Sequence, residues 1–529
     1  VTAGTAPSDE VSPARPARRI RSRWLRPGTE VAWLFAVALA VRAAAAWTSP
    51  SILNDGATLI RSAERMRVDG VAAAVSIPDH PLTPWLVSIA SVRLDPQNAA
   101  TALCVLAGAF AVWPLHVLAR RACGRHAATA ACIVYAALPK AVGVASTPLT
   151  SAVVLPLFLC GLSLAMVSGA PGRRRPWRLV GAGVFCGLAY LARPEGLAAA
   201  AAAVVAATWV ARRGRRLASA AVVAAAFVVV AAPYTVALSR HEGRFAVSPK
   251  KDVARFVGTT AAPSPTRDTA TIVRETAGAV DGAVTMPVFL LALAGAFAPV
   301  RWRRRRGIVP RFLLLTVFAA FVAFVARLQT GWGYGGARHI LPGALLLLPF
   351  AGEGFLVVGA FISRPVARRR MAVVLASFLA IPLAIKSVLR PEGSEQVDAR
   401  RLGERLAEIS TANAGGTLVV ATFHEPLVAY YADRARRADG GARDVPLWGA
   451  FSALLERSDA EGRRAELTAA LRREGAQWFV VDMFRRPSGS AADAQAPGAS
   501  LAQRLVEDGV LGTPVVSAGS ALTAFPVKR

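Results

Sequence analysis

From Val31 to Leu389 the chain alternates between long apolar stretches and short segments rich in arginine, proline and glycine. A helix needs roughly 20 apolar residues, at about 1.5 Å each, to cross about 30 Å of hydrocarbon. Shorter stretches still span where the bilayer thins or flanking side chains snorkel. The stretches are Val31–Trp47, Ala99–Ala119, Ala127–Leu138, Ala152–Val167, Trp177–Leu191, Gly196–Val210, Leu217–Leu238, Met286–Val300, Phe312–Ala326, Ile340–Phe361 and Met371–Leu389. They predict an α-helical polytopic membrane protein with about eleven transmembrane helices, the third of which is the shortest.

The polar segments fix an orientation. Arginines cluster at Arg15 to Arg26, Arg120 to Arg125, Arg173 to Arg178, Arg212 to Arg216, Arg301 to Arg311 and Arg364 to Arg370, each cluster preceding an odd-numbered span. The positive-inside bias makes these segments cytoplasmic. The basic N-tail, residues 1–30, is then cytoplasmic. Thr48–Asn98, Pro139–Ser151, Ala192–Glu195, Ser239–Thr285, Arg327–His339 and the chain after Arg390 are extracytoplasmic, the long loops being 48–98 and 239–285. The location implied is a bacterial cytoplasmic membrane.

Beyond the membrane region, 31–389, the pattern changes. Glu395–Ser410 reads as an amphipathic helix and Pro426–Ala432 as another; Thr417–Phe423, Gln477–Met483, Pro514–Ser517 and Leu522–Val527 read as strands. Residues 390–529 therefore predict an extracytoplasmic soluble α/β domain, long enough for a core of its own.

Composition agrees with the bilayer as solvent: 54% of the 529 residues are hydrophobic and the mean hydropathy is +0.43. A net charge of +29 ordinarily suggests nucleic acid, but cations parcelled between apolar stretches form no continuous basic face. No nucleic-acid partner is expected. The five cysteines lie in or beside the spans, so no disulfide framework is expected. Val31–Trp47 follows a long basic tail without a small-residue cleavage site, as in a signal anchor. Neither a phosphate-cradling glycine loop nor a zinc spacing among the six histidines is present; no metal is assigned, although a divalent ion is compatible with the chemistry below.

Candidate chemistry belongs to the outer loops. Asp55 follows the first span by eight residues, which puts a carboxylate near the outer interface, where it can take a proton from a hydroxyl; the plainer reading is a cap for a helix beginning near Ala57. Asp79-His80-Pro81 can contact phosphate or metal, or simply turn into a proline-started helix. Arg193 and Glu195 sit in the tight turn Ala192–Gly196, where charge must be solvated or paired. Arg338 and His339 begin another span. With Lys140, Lys250 and Lys251 these cations can line a pocket for an anionic headgroup, while singly each serves as a snorkelling anchor. Inside the spans, Arg42 lies close enough to the outer end of the first to snorkel, and Glu353 and Lys386 are the charged exceptions.

Four features together resemble the polytopic membrane glycosyltransferases of the GT-C class, the family-39-like group of protein O-mannosyltransferases and lipid A aminoarabinose transferases. They are Asp55 in the first outer loop, Asp79-His80-Pro81-Leu82-Thr83-Pro84 before an apolar stretch, Ala192-Arg193-Pro194-Glu195-Gly196-Leu197, and Ala337-Arg338-His339-Ile340-Leu341-Pro342. The resemblance runs from about Val31 to Phe361. It implies a sugar donor linked to polyprenyl phosphate, reached from within the bilayer, an extracytoplasmic acceptor, and Asp55 as catalytic base. Arg193, Arg338, Lys250 and Lys251 would then steady the departing phosphate, and Asp79, His80, Lys140, Glu195 and His339 would complete the binding of donor or acceptor. The chain departs from the pattern in its second outer loop, Ala145–Ser151, which carries hydroxyls where relatives carry acids, and at His339, where an aromatic is more common. A non-catalytic binder of lipid-linked glycans and, through Glu353 and Lys386, a transporter are the rival readings.

Overall fold

The computed structural model describes residues 28–168, 176–211, 213–249, 268–298, 305–332, 335–362, 367–412, 420–422, 426–438, 468–469, 471–472, 478–482, 497–514, 516–517 and 522–528. Each apolar stretch read from the sequence overlaps a helix among the described residues. Among the described residues, seven helices are long and apolar enough to cross a membrane: Thr29–Thr48, Pro96–Ala122, Thr150–Ser168, Arg216–Glu242, Ile308–Thr330, Ala337–Ile362 and Arg369–Leu389. Two pairs pass the same test only jointly, Arg125–Ala137 with Pro139–Ser146, bent by 54°, and Thr269–Val284 with Met286–Ala296, bent by 90°. Counting each pair as one span gives up to nine. Pro176–Ala192 and Gly196–Val210 are apolar but shorter, and they pack side by side across the Arg193–Glu195 turn.

The bent pairs correct two loop expectations. Pro139–Ser151 is largely the helix Pro139–Ser146, and Thr269–Val284 lies within the segment expected as loop. Each break has a local cause. Pro139 occupies the first turn of its helix, where its missing N–H costs nothing but where it cannot continue the preceding helix. Thr285 takes φ 65°, a left-handed conformation for a β-branched residue, and proline follows at the start of the next helix.

Large apolar side chains such as Trp33, Leu217, Phe361 and Phe378 are exposed around the bundle, as expected where lipid is the solvent. Between the helices the contacts are small: Ala127, Ala128, Ala130, Ala131, Ala203 and Ala206 are fully buried, allowing close backbone approach where no hydrophobic driving force separates protein from lipid.

Arg42 does not snorkel. It is fully buried, and its guanidinium donates to the carbonyls of Ala38 and Ala136 at 3.1 and 3.2 Å while lying 4.6 Å from the centre of the Tyr135 ring. The Ala136 carbonyl belongs to the last turn before the Pro139 break, so the arginine occupies an acceptor that the bend leaves open, while the Ala38 carbonyl lies one turn back on its own helix. Glu353 pairs with Arg311 of the neighbouring helix, both side chains being buried. Glu30 receives Arg125 at 2.8 Å and lies 3.5 Å from His116.

Among the described residues, the C-terminal segment holds a four-stranded sheet in the order β1 (Val420–Thr422), β2 (Trp478–Asp482), β4 (Leu522–Pro526), β3 (Val516–Ser517). β1 runs parallel to β2, and β4 is antiparallel to both its neighbours, with Phe479 opposite Phe525 and Val480 opposite Ala524. Helices Val397–Ala412 and Pro426–Ala438 pack together beside it. Their core is shared with the first loop: Ile52, Ala57, Ile60 and Ala63 are buried in one cluster with Leu402, Leu406, Leu427, Tyr431, Trp478 and Val480.

Candidate active site

The polar loops meet at one end of the bundle. After the extended backbone of Leu53, a helix runs from Asn54 to Asp69. Asp55 thus falls in the first turn and not at a cap before Ala57, in the position where the helix dipole favours a carboxylate. Gly56 brings this turn against the second loop: a Cβ there would stand 2.9 Å from the Pro148 carbonyl oxygen and 3.4 Å from the Pro148 Cβ. Gly56→Val is therefore expected to cost about 1–3 kcal/mol of stability through overpacking, read from unfolding in detergent. Wild-type stability would show instead that the Pro148 loop yields freely.

The partner of Asp55 comes from far along the chain. Helix Ala337–Ala344 starts with its Gly336 N–H donating to His339 Nδ1 at 3.3 Å, which sets the first turn and points Arg338 outward. Arg338 Nη1 donates to Asp55 Oδ2 at 2.5 Å, the two side chains being 35% and 51% exposed. An ion pair this open is worth about 0.2–1 kcal/mol, so either member can exchange its partner for a ligand.

Arg193 is held more firmly. Its Nε and Nη2 donate to the two carboxylate oxygens of Glu195 at 3.1 and 3.2 Å, a bidentate fork, and its Nη1 donates to Ser151 Oγ in the first turn of helix Thr150–Ser168. Burial alone would disfavour the charged guanidinium, but the carboxylates of Glu195, Asp55 and Asp79 outweigh it and raise its pKa. The arginine is a fixed cation facing three acids. Ser151 stands where relatives were expected to place an acid, and Glu195, two residues from Arg193, provides the charge.

Asp79 accepts from Ser62 Oγ at 3.1 Å, which ties it to the Asp55 helix. His80 is buried, with its ring 5.3 and 5.4 Å from those of Tyr190 and Tyr234, and Pro81 then leads into helix Leu82–Ala90. Lys140 lies elsewhere, at the start of helix Pro139–Ser146, paired with Glu392. Lys250 and Lys251 fall outside the described residues. Asp55, Asp79, Arg193, Glu195 and Arg338 are thus brought to one neighbourhood, His80 and His339 brace it, and Lys140 lines a separate cavity. Among the described residues no three histidine, cysteine or acidic side chains converge as a metal site would require.

Residues after the last span support the loop that carries Asp55. Tyr431 Oη accepts from the Ile52 N–H at 3.0 Å, Arg400 donates to the Pro50 carbonyl at 2.6 Å, and Arg61 on the Asp55 helix pairs with Asp433 at 2.8 Å. Tyr431 and Asp433 are two residues apart on helix Pro426–Ala438 and so project from different sides of it, forming no facial pattern that the sequence alone would mark. Taken together, the arrangement offers a carboxylate able to accept a proton and two arginines able to hold a phosphate dianion.

Comparison with known proteins bears on the fold. Residues 78–237 match the family model described as dolichyl-phosphate-mannose-protein mannosyltransferase, a stretch that includes Asp79, His80, Arg193 and Glu195. The crystal structure of ArnT from Cupriavidus metallidurans bound to undecaprenyl phosphate superposes with a TM-score of 0.64, at 14% sequence identity, over 94% of this chain and 97% of that one. Its apo form gives 0.64 at 16% identity, with the same coverage. The archaeal oligosaccharyltransferase AglB from Archaeoglobus fulgidus, in complex with an inhibitory peptide and a dolichol-phosphate, gives 0.55 at 14% identity, over 86% of this chain and 69% of that one. No curated protein matches by sequence. At such identities the likeness is one of fold: the chain is a polytopic membrane protein with the GT-C architecture.

Proposed function

We propose that this chain, built on the GT-C fold, transfers a sugar from a polyprenyl-phosphate donor to an acceptor on the extracytoplasmic side of a bacterial cytoplasmic membrane. The observation that carries this reading is the convergence of Asp55 with Arg338 and Arg193, residues from three loops that no local element brings together.

In the reaction, an acceptor hydroxyl oxygen bonds to the anomeric carbon while the bond from that carbon to the phosphate oxygen breaks and its electron pair leaves with the lipid phosphate. The hydroxyl proton passes to Asp55. Arg338 leaves Asp55 for the donor phosphate, which frees the carboxylate to act as base. Arg193, oriented by Glu195 and Ser151, meets the charge that develops on the leaving group; such a donor is typically worth about 3 kcal/mol. Asp79, His80 and His339 hold the surrounding loops, with Lys250 and Lys251 as further phosphate contacts. The breaking phosphate bond supplies the energy, so no nucleotide site is needed. The acceptor is a lipid, glycan or protein, and the transferred group a hexose or pentose.

Membranes containing the protein should move label from a panel of radiolabelled polyprenyl-phosphate sugars and not from nucleotide sugars. Transfer direct from a nucleotide sugar, or none across donors and acceptors, would overturn the reading and favour a non-catalytic binder of lipid-linked glycans. A transporter is disfavoured because Glu353 is neutralised by Arg311 and Lys386 lies at the rim of an outer cavity.

A further inference from the structure

Gln329 lies near the end of helix Arg305–Trp332, on the side of the bundle where the polar loops meet, and is 1% exposed. A side-chain amide sealed into the end of a membrane span is costly unless both of its ends are hydrogen-bonded. Both are. Its Oε1 accepts from Thr276 Oγ1 at 2.8 Å, and its Nε2 donates to the Gly335 carbonyl at 3.0 Å. One side chain thus joins three segments: the span it sits in, helix Thr269–Val284, and the turn that opens helix Ala337–Ala344.

That turn is fitted closely on two sides. A Cβ at Gly335 would stand 2.8 Å from Gln329 Cγ and 3.1 Å from both Val325 Cγ1 and the Val325 carbonyl oxygen, and a Cβ at Gly282, on helix Thr269–Val284, would stand 3.1 Å from the Ala337 Cβ. Between these contacts the Gly336 N–H donates to His339 Nδ1, and the Gly336 carbonyl accepts from the His339 N–H at 3.0 Å. The backbone carrying Arg338 is therefore held at Gly335 and at Ala337 by contacts that leave its guanidinium out. The guanidinium itself is engaged in the half-exposed pair with Asp55, which a ligand can replace. A side chain that exchanges a carboxylate for a phosphate needs a fixed pivot, because a misplacement of about 1 Å can cost on the order of 10²-fold in rate.

From this geometry we infer that Gln329, seated on Thr276, is a positioning residue for Arg338: it fixes the pivot from which the guanidinium passes from Asp55 to the donor phosphate. The phosphate role of Arg338 rests on the transferase reading. The placement of the turn beside Asp55 does not, and the two are tested separately. An amide that merely held the span to helix Thr269–Val284 would support every contact of the bundle alike.

Full-length protein in detergent is titrated with undecaprenyl phosphate. Gln329→Met, which keeps the length of the side chain and removes both polar ends, should weaken binding about tenfold. In an Arg338→Gln background the same substitution should change binding by less than about twofold, whereas in an Arg193→Gln background it should again cost about tenfold, since only residues that act through one another are non-additive. Thr276→Val should weaken binding about threefold, as for loss of one hydrogen bond, and Thr276→Ser should retain it; this pair carries the test if Gln329→Met does not fold. A loss of equal size in all three backgrounds would reduce Gln329 to general support, and no loss in the otherwise wild-type protein would free Arg338 from it; either result overturns the inference. A second measurement needs no ligand. With Asp55→Cys and Arg338→Cys, a short bis-maleimide should join the two positions, the five native cysteines being buried. Adding Gln329→Met should cut that yield severalfold and leave unchanged the yield from Asp95→Cys with Arg434→Cys, an exposed pair at 3.4 Å in the wild type. An unaltered first yield, or an equal fall in both, overturns the inference. Should the wild type bind no undecaprenyl phosphate, the transferase reading fails and the cross-linking alone decides whether Gln329 places Arg338.

Discussion

If the proposed transfer runs through Asp55, replacing it by asparagine is expected to lower sugar transfer by roughly 10²- to 10⁴-fold, the usual contribution of a general base, at unchanged protein level. The substitution keeps the size and hydrogen-bonding capacity of the side chain, and asparagine serves helix N-termini about as well as aspartate. A purely structural role therefore predicts only a small loss of stability, about 1 kcal/mol from the lost Arg338 ion pair and dipole contact, and no loss of transfer beyond it. The loss should fall on kcat with little effect on the donor KM, because proton acceptance is realised only in the transition state. It also separates two functions of the ion pair: Arg338 is freed in Asp55→Asn, so any gain from an unengaged Arg338 would appear as tighter donor binding. Equal transfer by wild type and Asp55→Asn would remove Asp55 from the mechanism, and reduced stability in parallel with reduced transfer would return it to a structural role.

Replacing Glu353 by leucine is expected to destabilise the bundle by about 3–5 kcal/mol, the cost of stranding a buried charge. The stranded group is Arg311, a guanidinium that is 7% exposed against a 4% exposed Glu353 and that, among the described residues, also meets the Phe350 ring at 5.9 Å and Cys123 Sγ at 3.9 Å. None of these carries a full negative charge. Changing both members, Glu353→Leu with Arg311→Met, should recover most of the loss, since a well-packed apolar pair of similar volume is often as stable as a buried ion pair. Unfolding in mixed micelles of the two single variants and the double variant gives the coupling directly. A double variant as unstable as Glu353→Leu would mean that the carboxylate does more than neutralise Arg311, and would reopen the reading in which Glu353 carries a transported charge.

How far the chain could be read before its structure was known depended on the range of each signal. Hydropathy is local, because a helix in lipid must satisfy its own backbone hydrogen bonds within about 20 contiguous residues. The apolar stretches were therefore legible one by one, as were the motifs around Asp55, Arg193 and Arg338. What each stretch became was less so. Met286–Ala296, within the stretch Met286–Val300, is one arm of a pair bent by 90° at Thr285, which takes a positive φ. The second loop reads as polar, yet it is mostly the helix Pro139–Ser146, and its Ser151 is a ligand of Arg193, a role visible only once the Arg193 turn is placed beside it.

Partnerships across the chain show the same limit. Arg42 looks like a snorkelling arginine by its distance from the end of its span, whereas in the fold it is sealed against Tyr135 and the carbonyls of the next bend. Lys140 looks like one more cation of the donor site, yet Glu392 holds it in a different cavity. A long side chain placed by sequence has several ångströms of reach in every direction, and only the neighbours that arrive from distant segments choose among them.

By itself, then, the sequence determined that this is a many-spanned membrane protein of GT-C resemblance with an acid in its first polar loop, because hydrophobic length, arginine clustering and short motifs act over a few residues. Tertiary structure alone decided that Asp55 meets Arg338, that Arg193 is oriented by Glu195 and Ser151, and that the C-terminal helices share a core with the Asp55 helix, because these contacts join residues that lie tens to hundreds of positions apart and depend on how the bundle packs.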